Sequence, residues 1–590
     1  MPRAVPLLTA FNAGEWAPIL HGRTDQERYQ RACAELRNFL PASQGAAVRR
    51  PGTRYVANTK ADGQVRLIPF EFSADQAYII EAGNLYFRFY TQGGRLESPP
   101  GTPVEVATPY TLADLPQLQF AQSNDVLYLA HPRHAPRKLV RTSPTAFTLT
   151  TIAFTSPPAV WTGSNWPGAV TTWQGRLWWG GTPAQRQTVW GSRSQDFENL
   201  TTGTAADSAV VYTLDSDQLN QIAWMRAARQ LIIGTTAGEF LLSGGGVGDP
   251  VTPSNVLAFP QPSGAGSVIG AAQGVGPAVV FVQRSGRKVH ALTVDEITQG
   301  TTYSAPELSL VAPHLLRAGV SYLAWQQEPW RVLWLVRSDG VLLGCTFMPD
   351  QDVVAWHRHV VGGTGAAVEG IACIQAPGYS ELWLAVRRTV NGATVRFVER
   401  MAESFDALSA PQSAAFFVDA GLTYDGAPAT VIGGLGHLVG ETVQVLADGA
   451  AHPPVVVSGG GTITLQRAAS VVHAGLGYLT RMETLDLAAG AADGTALTRR
   501  RSLHSVGVLL YQTLGGFVGW RDGTSYQMQE MQFRRPSMPM DVAPPLFSGP
   551  LPQPVDVPSR SDTACNIVIE QRQPLPMTVV ALAPRMNAGE

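Results

Sequence analysis

Charge is scarce in this chain. Asp, Glu, Lys and Arg make up 15% of its 590 residues, against roughly 25% in ordinary soluble domains. A surface so poor in charge suits permanent assembly, with much of it covered. The balance is nearly neutral, a formal −2, which excludes a global grip on nucleic acid by counterion release. A DNA conduit needs no such grip, because a neutral or acidic lumen lets the polyanion slide where a basic one would hold it. Cysteine is scarce too: Cys33, Cys345, Cys373 and Cys565 lie far apart with no Cys-x-x-Cys pair. They are expected as reduced, mostly buried thiols of a protein folded in the cytoplasm. No window reaches the roughly 18 consecutive apolar residues of a membrane span. The apolar run Val5 to Leu8 is too short for a signal peptide, so a soluble, unexported chain is expected.

Catalytic signatures are also missing. The sequence holds no GxSxG elbow, no HExxH and no GxxxxGK[ST] phosphate loop, so no catalytic residue, cofactor or metal is expected. The glycine runs 244–246 and 459–461 lack a following Lys-Ser or Lys-Thr and read as flexible loops. His357 and His359 share one face of a strand, a spacing compatible with zinc; without a third ligand, a partly exposed strand face is the expectation. Asp215 and Asp217 lack the full calcium-loop pattern and read as a solvated turn. Asp196 and Glu198 would serve a glycosidase only at a suitable spatial separation, which the sequence does not fix. The basic runs Arg499 to Arg501 and Arg534-Arg535 suit contact with DNA or an acidic neighbour, or a solvated strand edge that discourages aggregation. The edge is the expected reading.

What is present is glycine, 59 residues, and proline, 43, in a chain long enough for two or three domains. Between residues 70 and 400 one theme returns about every fifty residues: an apolar strand, a tight turn, a second strand. The copies are QAYIIEAGNLYFRFY from Gln76, NDVLYLAHPRHAPRKLVR from Asn124, GRLWWGGTPAQRQTVWGS from Gly175, RQLIIGTTAGEFLLSG from Arg229, PAVVFVQRSGRKVHAL from Pro277, WRVLWLVRSDGVLLGCTF from Trp330 and SELWLAVRRTVNGATVRFVER from Ser380. Asp339-Gly340 and Asn391-Gly392 are strong two-residue hairpin turns. The period points to propeller blades, of undetermined number, with Trp173, Trp178, Trp179, Trp190 and Trp334 filling the wedges between them. Neither Gly-His nor Trp-Asp dipeptides mark the repeats, so an ordinary WD40 array is not expected. Beyond Ser404, short Val-rich strands with Gly and Asp-Gly turns predict a small barrel or sandwich. The expected fold is mainly β: an N-terminal docking strap with a short helix (1–60), a β-propeller-like body (61–403), an inserted β-rich domain (404–498), and C-terminal strands that close the propeller around a Pro-rich extended segment (499–590).

The strap, FNAGEWAPILHGRTDQERYQRACAELRNFLPASQGAAVRRPG from Phe11 to Gly52, is punctuated by Gly14, Pro18 and Gly22, which forbid one continuous helix. Tyr29, Cys33, Leu36 and Leu40 have roughly helical spacing, which predicts one short amphipathic helix within Gln26 to Leu40. The ordered boxes Phe11-Asn12-Ala13-Gly14-Glu15, Gly22-Arg23-Thr24-Asp25, Tyr29, Asn38-Phe39 and Arg49-Arg50-Pro51-Gly52 closely resemble the N-terminal signature of the tail nozzle proteins of short-tailed bacteriophages, also called tail tubular protein B or phage stabilisation protein. Segments through roughly residue 400, among them LPQLQFAQSNDVLYLAHPRHAPRKLVR and WQGRLWWGGT, match that family in order, and Gly436 to Gly440 resembles its Gly-His-Leu-x-Gly segment near the distal nozzle. The resemblance implies a structural virion protein of the tail, a homohexameric ring below the adaptor that joins it to the portal, with fibres or spikes docked nearby and double-stranded DNA passing along the ring axis without sequence-specific binding. It also marks the strap residues, with Arg54, as interface candidates whose Arg and Asp side chains pair within or between subunits. The rivals are a propeller-borne glycan hydrolase acting on the host surface and a cellular β-propeller interaction platform.

Overall fold

The computed structural model describes residues 3–4, 6–73, 76–216, 220–245, 249–260, 263–295, 302–487, 499–534, 536–539, 542–557 and 564–588. Among them the regular elements are strands and short 3-10 turns; no α-helix is formed.

Each of the seven recurring hairpins is the central pair of strands in one antiparallel sheet, and the seven sheets are the blades of a propeller. Their innermost strands are Arg66–Glu71, Gln119–Ser123, Ala169–Trp173, Ile222–Ala227, Ser267–Val275, Val320–Gln326 and Thr364–Ala376. We number the blades 1 to 7 in that order. Strands enclosed by neighbouring blades bury both faces, which is why they read as continuous apolar runs. In Leu231-Ile232-Ile233 the first and third side chains pack toward blade 3 and the middle one toward blade 5. Trp178 fills the wedge between blades 3 and 4, while Trp179 and Trp190 fill the one between blades 2 and 3. Trp334 sits between blades 6 and 7. One further apolar cluster joins blade 1 to blade 7 through Ile79, Tyr90, Trp383 and Val398, and so closes the ring. The Asn391-Gly392 turn has both residues left-handed (φ +49° and +79°), with Val390 facing Ala393, the geometry a two-residue hairpin loop needs.

Closure does not come from the C-terminus as expected. The fourth strand of blade 7 is Thr53–Asn58, antiparallel to Ala393–Met401. The C-terminal strands have other places. Val568–Gln571, Phe517–Asp522 and Ser525–Glu530 prolong blade 6 into a ten-stranded sheet, through the strap strands Gly14–Glu15 and Ala32–Arg37 and the strand Thr480–Thr484. Arg501–Thr513 and Thr578–Ala588 pair in a second sheet that also takes Phe39–Pro41 and Ala47–Arg49. These two sheets share a core of Phe11, Cys33, Leu36, Phe39, Met482, Val506, Ile569, Val579 and Leu582. Strap and C-terminal segment therefore form one β layer pair fused to blade 6, not a separate strap and a propeller closure.

The short helix within 26–40 is not formed. Glu27–Arg31 makes a 3-10 turn and Ala32–Arg37 is a strand. That strand lies parallel to Gly14–Glu15 on one side and antiparallel to Thr480–Thr484 on the other, so ladder bonds and two-sided burial override a helical spacing of four apolar residues. Within the span expected for the inserted domain, Asp419–Ile432, Thr442–Ala447, Ala450–Val456 and Ile463–Leu476 pack around Leu435, Leu438, Val445 and Val472, whereas Thr480–Thr484 belongs to the ten-stranded sheet. It joins the body where Gly421 meets Arg54 of the strand that closes blade 7.

Candidate functional site

The strap residues converge on one junction between blades 6 and 7, the inserted domain and the C-terminal sheets. Gly14 (φ +71°) runs so close to blade 6 that a Cβ would lie 2.4 Å from Trp356 N. This approach carries the Glu15 carboxylate into a fully buried position. It accepts from Leu36 N–H (2.9 Å) and Arg358 Nε (2.9 Å), and lies 2.8 Å from His314 Nε2. Burial opposes ionisation, but the bonds from His314 and Arg358 outweigh it and hold the carboxyl below its ordinary range. Phe11 is buried in the shared core, and Asn12 Nδ2 donates to Ser43 O (3.1 Å). The Tyr29 hydroxyl reaches His21 O (2.9 Å) and Asp486 O (3.1 Å).

Asn38 (φ +58°) is the second pivot. Its Nδ2 donates to Leu479 O (2.7 Å) and Val360 O (3.0 Å), and its Oδ1 accepts from Val360 N–H (3.0 Å) and Arg50 Nε (2.9 Å). Phe39 is fully buried beside it. Arg50 completes a bidentate pair with Asp419 of the inserted domain and stacks 3.8 Å from the centre of the Tyr478 ring. Asp419 also accepts from Thr53 N–H (3.2 Å) and Gly362 N–H (2.7 Å). A second fully buried pair, Arg388 with Glu399, lies alongside and shares Thr53 through its hydroxyl. Burial depresses Arg50 and raises Asp419, yet their mutual charge reverses both, leaving Arg50 above and Asp419 below its ordinary value.

Arg49 points the other way, into the C-terminal sheet. It donates to Thr480 Oγ1 (3.0 Å) and Leu575 O (2.6 Å) and lies 4.6 Å from the Tyr478 ring centre. Pro51 accepts from Arg50 Nη1 (3.0 Å). Gly52 passes the inserted domain so closely that a Cβ would stand 2.0 Å from Val418 O. Arg54 covers the Phe416 ring at 4.1 Å and donates to Thr423 Oγ1 (2.8 Å). Of the two kinds of pairing expected, within or between subunits, Arg50 makes the first. Only Gly22, Arg23 and Asp25 of the strap boxes are exposed, with Arg23 and Asp25 in a two-bond surface pair at 2.8 Å.

Other expected positions resolve as follows. His357 and His359 are fully buried, contrary to a partly exposed strand face. His357 Nδ1 and His359 Nε2 are 2.6 Å apart, Thr346 Oγ1 lies 3.2 Å from His357 Nε2, and burial pushes His357 down to about 3. The reason is that blade 6 is not a sheet edge, since the strap covers its last strand. Glu198 pairs with Lys138 and Asp196 accepts from Asn199 Nδ2. Asp215 is exposed; Asp217 and Arg535 lie outside the described residues. Arg501 is buried and donates to Leu487 O (2.7 Å), so it is not a solvated edge.

A constellation absent from the sequence reading is Asp114, His131 and His134, the one group among the described residues whose ligand atoms cluster as a metal would require. The His-x-x-His spacing in HPRH was the signal available. Asp114 is already saturated: Thr111 donates through N–H (2.9 Å) and hydroxyl (2.8 Å), Arg133 pairs with it, and His134 Nε2 is 3.1 Å away. His131 Nδ1 accepts from Arg133 N–H (3.2 Å), which leaves its proton on Nε2, facing Asp114, with no lone pair there for a cation. The arrangement suits a loop clasp between blades 1 and 2.

No family model matches the chain, and no curated protein matches it. Solved structures similar to it include the RRP9 WD40 repeats (10% identity, TM-score 0.38, covering 60% of this chain and all of that one). The Myceliophteria thermophila Cps50 (Swd1) β-propeller domain gives 9% identity and a TM-score of 0.38 over 60% of this chain and all of that one. The Neurospora crassa Pan2 WD40 domain gives 9% and 0.33 over 61% of this chain and 97% of that one. The blade topology described above identifies the fold of this chain as a seven-bladed β-propeller fused to additional β domains.

Proposed function

We propose that this protein is a non-enzymatic interaction platform and, more narrowly, the subunit of a tail nozzle ring in a short-tailed phage. The observation that carries the narrower reading is where the strap boxes sit. Residues widely separated in the strap, Glu15, Asn38, Arg50 and Gly52, all serve one junction that locks propeller, inserted domain and C-terminal sheets together. A resemblance concentrated in those boxes is thus a resemblance in how the domains are joined, and that supports a shared architecture. In this reading the ring sits below the adaptor and portal, fibres or spikes dock on it, and DNA passes through the ring axis.

The axis of the single propeller is not that conduit. Arg66 of blade 1 reaches within 5.5 Å of the Tyr322 ring of blade 6, and Gln119 of blade 2 bonds Ala223 O of blade 4. Side chains from non-adjacent blades therefore meet near the axis, and in this reading the duplex passes between copies. A closed ring of identical subunits needs two different complementary patches on each; the exposed Arg23-Asp25 pair, four residues after the 85% exposed Ile19 in the chain, is offered as part of one.

The second reading, a cellular propeller platform, is favoured by the closed seven-bladed body itself. Electron microscopy of the purified protein, alone and with a phage adaptor, separates them. Rings that dock on the adaptor are expected; a particle that stays monomeric with adaptor present would sink the nozzle reading and leave the platform.

A further inference from the structure

One face of the ten-stranded sheet is charged in two layers. Arg358 of Val353–His359, the last strand of blade 6, stands directly opposite Arg37 of the strap; Arg37 stands opposite Arg481, and Arg481 opposite Glu570 on the next strand. Two residues along the same face, Glu35 stands opposite Glu483. Each arginine has a carboxylate: Arg358 Nε donates to Glu15 (2.9 Å), Arg37 Nη2 is 2.7 Å from Glu35, and Arg481 Nε donates to Glu570 Oε1 (2.6 Å). Arg572 Nε donates to Glu570 Oε2 (2.8 Å), and Arg521 Nε lies 3.1 Å from Glu483 Oε1. The carboxylates form the bottom layer, with side chains 0–11% exposed, and the arginines the top layer, 14–51% exposed.

Like charges directly opposite on adjacent strands repel, and a row of three arginines stands here only because buried carboxylates hold each one. Packing fixes them further: Arg481 lies 3.8 Å from the Tyr526 ring centre and Arg572 4.8 Å from that of Phe517. Arg358 and Arg572 give Nε and Nη2 to their own carboxylates, and among the described residues their Nη1 protons meet no acceptor. A partner in contact therefore meets guanidiniums with donors to spare. From a distance the layers nearly cancel, five arginines over four glutamates, with exposed Glu530 beyond Phe517 evening the count. So balanced a surface releases few counterions, which disfavours nucleic acid; it suits a protein that brings carboxylates to contact distance, where arginine forks bind them. The arginine row repeats at the strand spacing of about 4.8 Å. Residues one turn apart on a helix face are ~5–6 Å apart, a closer match than the roughly 6.6 Å between same-side residues of an extended strand.

We propose that this arginine layer is the docking surface for an acidic helix of another protein, one that carries Asp or Glu along one face at three- and four-residue spacing. The helix lies across the strands along the row Arg358, Arg37 and Arg481, and its carboxylates take the guanidinium donors that the buried glutamates leave over. The inference deepens the interaction-platform reading and is independent of ring formation.

The test titrates the full chain into a labelled alanine-rich helix of about 20 residues with glutamates striped along one face, read by fluorescence anisotropy. A peptide of the same composition with its glutamates spread around the helix, and a short DNA duplex, are the comparisons. Saturable binding of the striped peptide with a dissociation constant of about 100 μM or tighter is expected, and weaker binding of the other two. Arg572→Gln leaves Glu570 its bond from Arg481, and Arg521→Gln leaves Glu483 its bond from Asn566, so the folded state is spared; together they should cost about tenfold in affinity. Arg37→Lys keeps the charge but not the fork and should also bind more weakly. No saturable binding of the striped peptide overturns the proposal, as do equal binding of both peptides and unchanged affinity in the folded variants. Tighter binding of the duplex would assign the face to nucleic acid, and self-association of the chain that the double variant abolishes would assign it to a second copy; either result overturns the helix. All of this is read without adaptor, so failure here leaves the ring test of the nozzle reading standing.

Discussion

Arg50 and Asp419, 369 residues apart in the sequence, form a two-bond ion pair at 2.9 and 2.7 Å with both side chains fully buried. The pair joins the strap to the inserted domain; Asn38, Thr53 and Gly362 complete its hydrogen bonds, and the Tyr478 ring stacks on the Arg50 guanidinium. Removing one member of such a pair strands the other charge away from water, which costs about 3–5 kcal/mol. Arg50→Ala and Asp419→Ala are therefore expected to lower the denaturant midpoint steeply, beyond any effect on assembly. If either variant melted like the wild type, the junction would not be the keystone described here.

Arg23→Ala is the opposite case. Its pair with Asp25 is on the surface, where water and salt screen the attraction and the pair adds little to stability. Monomer stability should hardly change, while ring formation should weaken under the nozzle reading. Size-exclusion chromatography with light scattering beside a melting curve separates the two effects. Intact rings in this variant would remove Arg23 from the interface.

Gly52→Ala tests close approach and not backbone freedom. A Cβ would meet Val418 O at 2.0 Å, and both chains there are pinned by Gly52 N–H to Phe416 O and Ala402 N–H to Gly52 O, each 2.8 Å. Overpacking of this kind costs about 1–3 kcal/mol. The expected result is a lower Tm with loss of amide protection in Asp419–Ile432; a neutral outcome would mean the inserted domain shifts freely.

Acid should destabilise the fold through its buried histidines. Burial holds His131, His437 and His473 down to about 4 and His357 to about 3, against an ordinary value of 6.5. Between those limits the unfolded chain binds more protons, so this stability is full above pH 6.5 and falls as pH drops toward 4. Each such group contributes a slope of about 1.4 kcal/mol per pH unit. Denaturant midpoints between pH 7 and 4.5 should fall steeply, and His131→Gln should flatten the fall.

Glu483 acts in the other direction. It is buried opposite Glu35 on the neighbouring strand, beside Arg521 and Asn566, and burial raises it to about 7 from 4.5. Here the folded state holds the extra proton, so the contribution is full below pH 4.5 and lost as pH rises through 7. Glu483→Gln should gain stability relative to wild type from pH 6 to pH 8.5; a constant difference across that range would overturn the assignment.

The blades were legible because their signal is local. Each hairpin carries its own turn residues and apolar strands, as in Val390-Asn391-Gly392-Ala393, and a period near fifty residues repeats it. The strap was misread for the complementary reason. Its apolar spacing from Tyr29 to Leu40 fits a helix, and nothing nearby in sequence reveals that Thr480–Thr484 and Gly14–Glu15 will flank Ala32–Arg37 as ladder partners. His357 and His359 looked half-exposed for the same reason: the segment that covers them lies more than 300 residues upstream.

By itself, then, the amino-acid sequence determined an all-β chain with a repeating hairpin body, a distinct Val-rich insertion and a low-charge surface, because alternation, turn chemistry and composition act over a few residues. Only the tertiary structure decided that Thr53–Asn58 closes the seventh blade and that Arg49 and Arg50 are internal. Those outcomes depend on contacts between residues more than 300 positions apart, and burial and charge are properties of the assembled neighbours, not of any one segment.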